Sequence, residues 1–259
     1  MVEKRRTSIS WVEDGRVLLR GYRLEELIGR LSFAEAIYLV LRGELPNEAH
    51  SRLFEAILVS VVDHGPSPPS TVAAVTVAST GAELNAAVAA GVLAISRYHG
   101  GAIEDCMRTL AVCVRQQRES GTSAEQVAEE FVVACRQRHE RVAGFGHRLH
   151  RTDPRTAQLF ALAEELGLAG EYVAQARALE KALARILQRQ LPLNADGAIA
   201  ALLCELGFPP RAANGIFMIA RVAGLVAHAS EEQEQGTWLR AVVAADYDYV
   251  GPPERDLPQ

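Results

Sequence analysis

The chain carries a dense polar island, Gly144-Phe145-Gly146-His147-Arg148, followed at once by His150, Arg151, Asp153, Pro154 and Arg155. Two glycines let a backbone approach a neighbour closely, and a histidine beside Arg148, Arg151 and Arg155 can engage several anionic groups. A second island, Asn194-Ala195-Asp196-Gly197, follows a proline-punctuated turn and precedes the apolar run Ala198 to Leu206. An acid placed there can act as a base. A third signal lies between Phe217 and His228, where Arg221, Gly224 and His228 fall at i, i+3 and i+7 on one helical face of an otherwise apolar stretch. A guanidinium on so apolar a helix must find an anion. Either a protein carboxylate pairs with it, or a substrate carboxylate is held there by two parallel hydrogen bonds.

Four histidine or acid positions stand at glycine- or proline-marked breaks: His64, His99, His147 and Asp196. One histidine at a helix end often only caps carbonyls; four such placements point to a site. No HxxxH or HxH pair joins them, so no metal is expected. Serine-hydrolase elbows, Walker A loops and dinucleotide fingerprints are absent as well.

These residues need a scaffold of some size. At 259 residues and 49% hydrophobic content, the chain can bury a large core in one big domain or two lobes. A net charge of −5 gives no broad basic field for nucleic acid, so the arginine clusters answer to local anions. The four cysteines, at 106, 113, 135 and 204, form no CxxC pair and read as reduced, buried thiols. The charged start, Met1 to Arg6, leads into no apolar leader, and no uninterrupted apolar run reaches the roughly 18 residues of a membrane span. A cytoplasmic protein with no membrane and no nucleic-acid partner is expected.

Ile9 to Leu19 alternates around Asp14-Gly15, which predicts a short N-terminal hairpin. Almost everything after it reads as helical. Ser32 caps a run whose apolar face is Phe33, Ile37, Tyr38 and Leu41, stopped by Gly43 and Pro46; Leu53, Ile57, Leu58 and Val61 repeat the pattern up to the prolines at 66, 68 and 69. Ser70 to Ile95, rich in small residues, suits closely packed helices and breaks at His99-Gly100-Gly101. Helices follow at 103–117, 123–138, 153–166 and 171–190, with charge on one face, before the chain returns to apolar helices at 198–206 and 214–229. This divides the chain into a large lobe, 1–100 and 215–259, and a smaller one, 101–214, with the polar motifs at the crossings, where ligand sites favour interfaces.

The ordered set Asp63-His64-Gly65-Pro66, His99-Gly100-Gly101, Gly144 to Arg148 with Asp153-Pro154-Arg155, Asn194 to Gly197, Asn214-Gly215-Ile216-Phe217 and Ile219-Ala220-Arg221 resembles the citrate synthase superfamily. Gly21 to Leu27 and Gly43-Glu44-Leu45-Pro46 resemble that family's N-terminal segment, so the likeness runs from Gly21 to Gly251. The short chain, Asp-His-Gly-Pro and Asn-Gly-Ile-Phe lean toward its citryl-CoA lyase branch, which includes the lyase module of ATP-citrate lyase. The resemblance implies an all-α, two-domain helical fold, a homodimer built on large-domain helices, a cleft active site and chemistry on a coenzyme A thioester. Coenzyme A would come and go as part of the substrate, with no cofactor bound permanently.

By the same resemblance, Asp196 would take a proton from the acetyl-CoA methyl, His99 would donate a hydrogen bond to the thioester oxygen and His147 would serve the keto oxygen. His64, Arg155 and Arg221 would hold oxaloacetate. Gly144, Phe145 and Gly146 would meet coenzyme A, with Arg148 and Arg151 at its phosphates. Cleavage of citryl-CoA to acetyl-CoA and oxaloacetate runs these steps backward. A small citrate or 2-methylcitrate synthase, which also hydrolyses the thioester, and a non-catalytic subunit that binds CoA or citrate are the alternatives. The synthases' C-terminal Arg-Pro-Arg has no match in Ala244 to Gly251, which leaves room for an altered acceptor acid.

Overall fold

A computed structural model describes residues 6–146, 153–236, 238–240 and 248–256. Gly15, at φ +67°, turns the chain between β1 (Ser10–Glu13) and β2 (Arg16–Leu19), which pair antiparallel as the hairpin pattern predicts. A third strand, β3 (Tyr22–Arg23), pairs with Leu18 and Leu19. Two residues are too few to show alternation, so the sequence pattern did not announce it. Arg20 ties this sheet to the helices by donating from Nε and Nη2 to the Val40 carbonyl at 3.0 and 2.6 Å.

The other regular elements among the described residues are helices: α1 (Leu24–Leu27), α2 (Phe33–Arg42), α3 (Glu48–Ser60), α4 (Pro69–Ala78), α5 (Leu84–Leu93), α6 (Ala102–Ser120), α7 (Ala124–Gln137), α8 (Pro154–Glu165), α9 (Glu171–Leu187), α10 (Ala195–Glu205) and α11 (Ala213–Gln235), the last preceded by a single 3-10 turn at Pro210–Ala212. Local chemistry sets several boundaries. Ser32 accepts from the Glu35 amide while Glu35 accepts from the Ser32 amide, a capping box that starts α2, and Gly43 at φ +85° ends it. The buried face of α2 is Ala34, Ile37, Tyr38 and Leu39; Phe33, expected on that face, is 79% exposed because it is the first helical residue, ahead of the packed turn.

Tyr38, Phe54 and Phe208 form an aromatic cluster with ring centroids 5.2–5.5 Å apart, joining α2 and α3 to the loop after α10. Eight of the eleven residues of α10 are buried, so it has no wet face and runs through the centre, packed on α6, α8 and α9. α4, α5 and α11 pack together. Gly91 makes this close, since a Cβ there would stand 2.9 Å from Leu225 and 3.0 Å from the Ser70 carbonyl oxygen. The stretch from Pro210 to Gln235 is by length and mean hydropathy apolar enough to cross a membrane, as a core helix also can be, although Arg211 and Arg221 interrupt its apolar run. Here it packs against α3, α4, α5 and α6, with Arg221 buried along it.

Candidate active site

One cleft of about 450 Å³ is lined by His64, His99, Arg155, Asp196 and Arg221, with Gly146, Phe217 and Asn194 completing its wall. Five separate motifs in the sequence therefore meet on one surface. His147, Arg148 and Arg151 lie outside the described residues.

His99 sits in a tight turn after α5. Ser96 and His99 exchange backbone hydrogen bonds at 2.9 Å, and Gly101 donates to the Ser96 carbonyl at 3.1 Å. Gly100, at φ +88°, has no room for a side chain: a Cβ would meet Ile95 and Phe217 at 2.9 Å. The His99 ring packs edge-on to Phe217, and its Nε2 lies 2.8 Å from the hydroxyl of buried Ser70. Burial, followed by the positive charge of Arg221 and by His64, depresses the imidazole's basicity below its ordinary value. The neutral ring can then offer a hydrogen bond without carrying a charge.

Arg221 is 2% exposed. Its Nε donates to the Val61 carbonyl at 3.0 Å and its guanidinium carbon lies 4.8 Å from the centre of the Phe217 ring, while Nη1 is buried with no hydrogen-bond partner among the described residues. No carboxylate among the described residues forms an ion pair with it, so the protein-acid alternative is not realised there. Burial lowers the pKa of Arg221 from its ordinary value, Asp63 and Asp196 raise it in part, and Arg155 opposes them. A buried guanidinium with a spare donor is suited to an anion arriving from the cleft.

Asp196 is in the first turn of α10, which starts at Ala195 and not, as the sequence suggested, at residue 198. Asn194 explains the difference: its Oδ1 accepts from the Gly197 amide at 3.1 Å and starts the helix at Ala195. The Asn194 Nδ2 donates to the Gly146 carbonyl at 2.9 Å, and its amide donates to the Gly144 carbonyl at 3.1 Å. Gly144, at φ +86°, lies against Gly197; a Cβ on Gly197 would fall 2.4 Å from the Gly144 oxygen, and one on Gly144 would fall 2.7 Å from the Cys106 sulfur. The close approach that the glycines permit is thus to α10 itself.

Arg155 forms a two-point ion pair with Asp153, Nε to Oδ1 at 3.0 Å and Nη2 to Oδ2 at 2.8 Å. Burial alone would raise the Asp153 carboxyl, but Arg155 and the amides of Arg155 and Ala195 outweigh it and hold the group below the usual carboxylate range. Phe145 faces a second cavity of about 360 Å³, whose wall includes Arg136, Arg141 and Arg189 beside Val142, Leu183 and Leu191. Those arginines, and Ser70 and Phe217, were not assigned roles from the sequence. Ser70 was detectable only as a serine in the first turn of an Ala- and Val-rich helix.

The model for the citrate synthase C-terminal domain matches residues 46–241 of the chain. The protein belongs to the citrate synthase family. A citrate synthase from Haloferax volcanii is 32% identical over 215 residues, which are 81% of this chain and 54% of that protein. The chain spans between about half and three-fifths of the length of the curated relatives it matches. Among solved structures, a citryl-CoA lyase from Hydrogenobacter thermophilus superimposes with a TM-score of 0.89 at 43% identity, covering 99% of this chain and 98% of that one. An ATP citrate lyase from Methanosaeta concilii, in complex with (3S)-citryl-CoA, shares the fold at 23% identity, with a TM-score of 0.82 over 98% of this chain and 43% of its own.

Proposed function

We propose that this citrate synthase family member is a citryl-CoA lyase, cleaving citryl-CoA to acetyl-CoA and oxaloacetate. The observation that carries the reading is Nη1 of Arg221, without a hydrogen-bond partner among the described residues and buried in a cleft with His64, His99, Arg155 and Asp196. Likeness over the whole length to a citryl-CoA lyase favours cleavage over synthesis.

In the cleavage direction Arg221 and Arg155 hold carboxylates of the citryl group and His64 binds the part that becomes oxaloacetate. His147 takes the hydroxyl proton. The electron pair of that O–H bond forms the keto C=O, the carbon–carbon bond breaks, and its electrons form the enolate of acetyl-CoA. Neutral His99, held through Nε2 by Ser70, donates its other ring nitrogen's proton in a hydrogen bond to the enolate oxygen. Asp196, entering the cycle protonated, delivers its proton to the enolate carbon and leaves as carboxylate. Coenzyme A is substrate throughout, and no permanent cofactor takes part. Phe145 and Gly146 would receive its pantetheine end, while Gly144, buried against Gly197, shapes the turn that presents them; Arg148 and Arg151 would stand at the phosphates, with the Arg136, Arg141 and Arg189 rim as a further cationic surface.

We place the large lobe at 1–100 and 215–259 and the small lobe at 101–214, in a cytoplasmic homodimer. Exposed Val72 and Leu93 on α4 and α5 supply apolar surface for the dimer contact. A citrate or 2-methylcitrate synthase is the second reading, favoured by the 32% identity to a citrate synthase. Mass spectrometry of the products from citryl-CoA decides between them. Acetyl-CoA and oxaloacetate are expected; citrate and free coenzyme A would show hydrolysis and overturn the lyase reading.

A further inference from the structure

The stripe Arg221, Gly224, His228 on α11 contacts the segment that follows α3 residue by residue. Arg221 Nε donates to the Val61 carbonyl at 3.0 Å. At Gly224 a Cβ would stand 2.6 Å from the Val62 carbonyl oxygen and 2.8 Å from Asp63 Oδ1, so only glycine lets the helix come this near. Two helical turns from Arg221, His228 Nε2 lies 3.1 Å from the same Asp63 Oδ1. The other oxygen of Asp63 accepts from the Gly65 amide at 2.8 Å, closing a turn in which Gly65 takes φ +76°. His64 is the residue held inside that turn.

Burial alone would raise the Asp63 carboxyl, but the amides of Gly65 and His64 and the nearby His228 hold it below the ordinary value. It is a carboxylate at neutral pH and can only accept, so the imidazole nitrogen is the donor. Both side chains are partly exposed, at 22% for His228 and 38% for Asp63, and such a pair adds little to global stability. Its consequence is geometric: one oxygen of Asp63 is pinned to α11 while the other shapes the turn.

We infer that His228 is a positioning residue, acting through Asp63 to fix the turn that presents His64 to the same cleft Arg221 enters. This rests on reading that cleft as the oxaloacetate site. It makes one face of α11 responsible both for a carboxylate-binding group and for the placement of the histidine that works beside it.

The test compares wild type, His228→Ala and His228→Gln in the full chain, by amide hydrogen exchange over residues 61–65 and by calorimetric affinity for oxaloacetate and for acetyl-CoA. Loss of a partly screened, charge-assisted hydrogen bond should speed exchange at Gly65 and weaken oxaloacetate binding by about fivefold to tenfold in the alanine variant. Acetyl-CoA affinity should not change. Glutamine, whose amide can donate to the same oxygen, should restore most of both effects. Should the alanine variant fail to fold, His228→Asn, too short to reach Asp63, replaces it. Exchange at the wild-type rate, unaltered oxaloacetate affinity, or equal losses for both ligands would overturn the inference. If wild type binds no oxaloacetate, the substrate reading falls and the exchange data alone judge whether α11 holds the turn.

Discussion

Replacing Arg221 by methionine should make the empty protein more stable and the liganded protein less so. Among the described residues the buried guanidinium makes one hydrogen bond, to the Val61 carbonyl, and one face contact, with Phe217, while Nη1 has no partner. A charge-assisted hydrogen bond contributes about 1.5–3 kcal/mol and a desolvated cation–π contact about 2 kcal/mol. Taking an ion out of water costs several kcal/mol, and replacing buried ionic groups by apolar ones of similar volume gains about 1–4 kcal/mol. Because two of the cation's interactions are good, the low end applies, a net gain of about 1–2 kcal/mol, or roughly 2–8 °C in Tm for a chain of this size. A saturating ligand reverses the order. At 100 times its Kd, oxaloacetate should stabilise wild type by about 2.7 kcal/mol and the variant by well under 1 kcal/mol. Scanning calorimetry of both proteins, with and without oxaloacetate, reads all four states. A variant less stable than wild type by more than about 1 kcal/mol when empty, or one that gains the full ligand shift, would refute the argument that this cation waits for an anion.

Asp196→Asn should abolish exchange of acetyl-CoA methyl protons with deuterated solvent, followed by NMR, while acetyl-CoA still binds; undiminished exchange would remove Asp196 as the base. His99 titrates below its ordinary 6.5 because it is buried and faces Arg221. The stability tied to its neutral form is therefore complete above 6.5 and is lost as pH falls through the depressed folded value. The difference in denaturation midpoint between wild type and His99→Gln should change only at pH below 6.5, and a change centred above 6.5 would contradict the assignment. Burial pushes the Cys113 and Cys204 thiols up to about 12, so neither should react with a thiolate-selective reagent at pH 8 until the protein unfolds. Labelling of either in the native protein, located by peptide mass mapping, would show the helices around α6 to be open.

Local grammar made much of the scaffold and half of the cleft legible. Ser32 announced a helix start, Asp14-Gly15 a hairpin, and the spacing of Arg221, Gly224 and His228 a single helical face. Asp196 shows where such grammar was misread: the helix was read from residue 198, although Asn194 three residues before Gly197 is a helix cap. Other features have no local signal. Ser70 and His99 are separated by 29 positions, and only the folding of α4 beside the turn after α5 puts the hydroxyl 2.8 Å from the ring. Likewise, nothing around Gly144 or around Gly197 says that each glycine exists to make room for the other. The arginines of the second cavity lie on α7, before Gly144 and after α9, so no sequence window contains all three.

The cleft is held together by a joint that neither polar motif reveals alone. Asp153, 3% exposed, caps α8 through the Arg155 amide, grips the Arg155 side chain at two points, and accepts from the Ala195 amide at the start of α10 at 3.1 Å. One carboxylate thereby fixes both the arginine proposed to hold a substrate carboxylate and the helix turn that bears Asp196. Its four acceptor positions match four donors, which is the full capacity of an ionised carboxylate. Loss of charge at this point would leave buried donors unpaired at two helix N-termini at once. The position of Asp196 relative to Arg155 is therefore set by a rigid link between α8 and α10, whereas its position relative to Arg221 and His64 is set through α3 and α6, which pack against both α10 and α11. On the reading of this cleft as a substrate site, the geometry of the bound acid is then decided through α3 and α6, on the side where Arg221 Nη1 has no partner among the described residues.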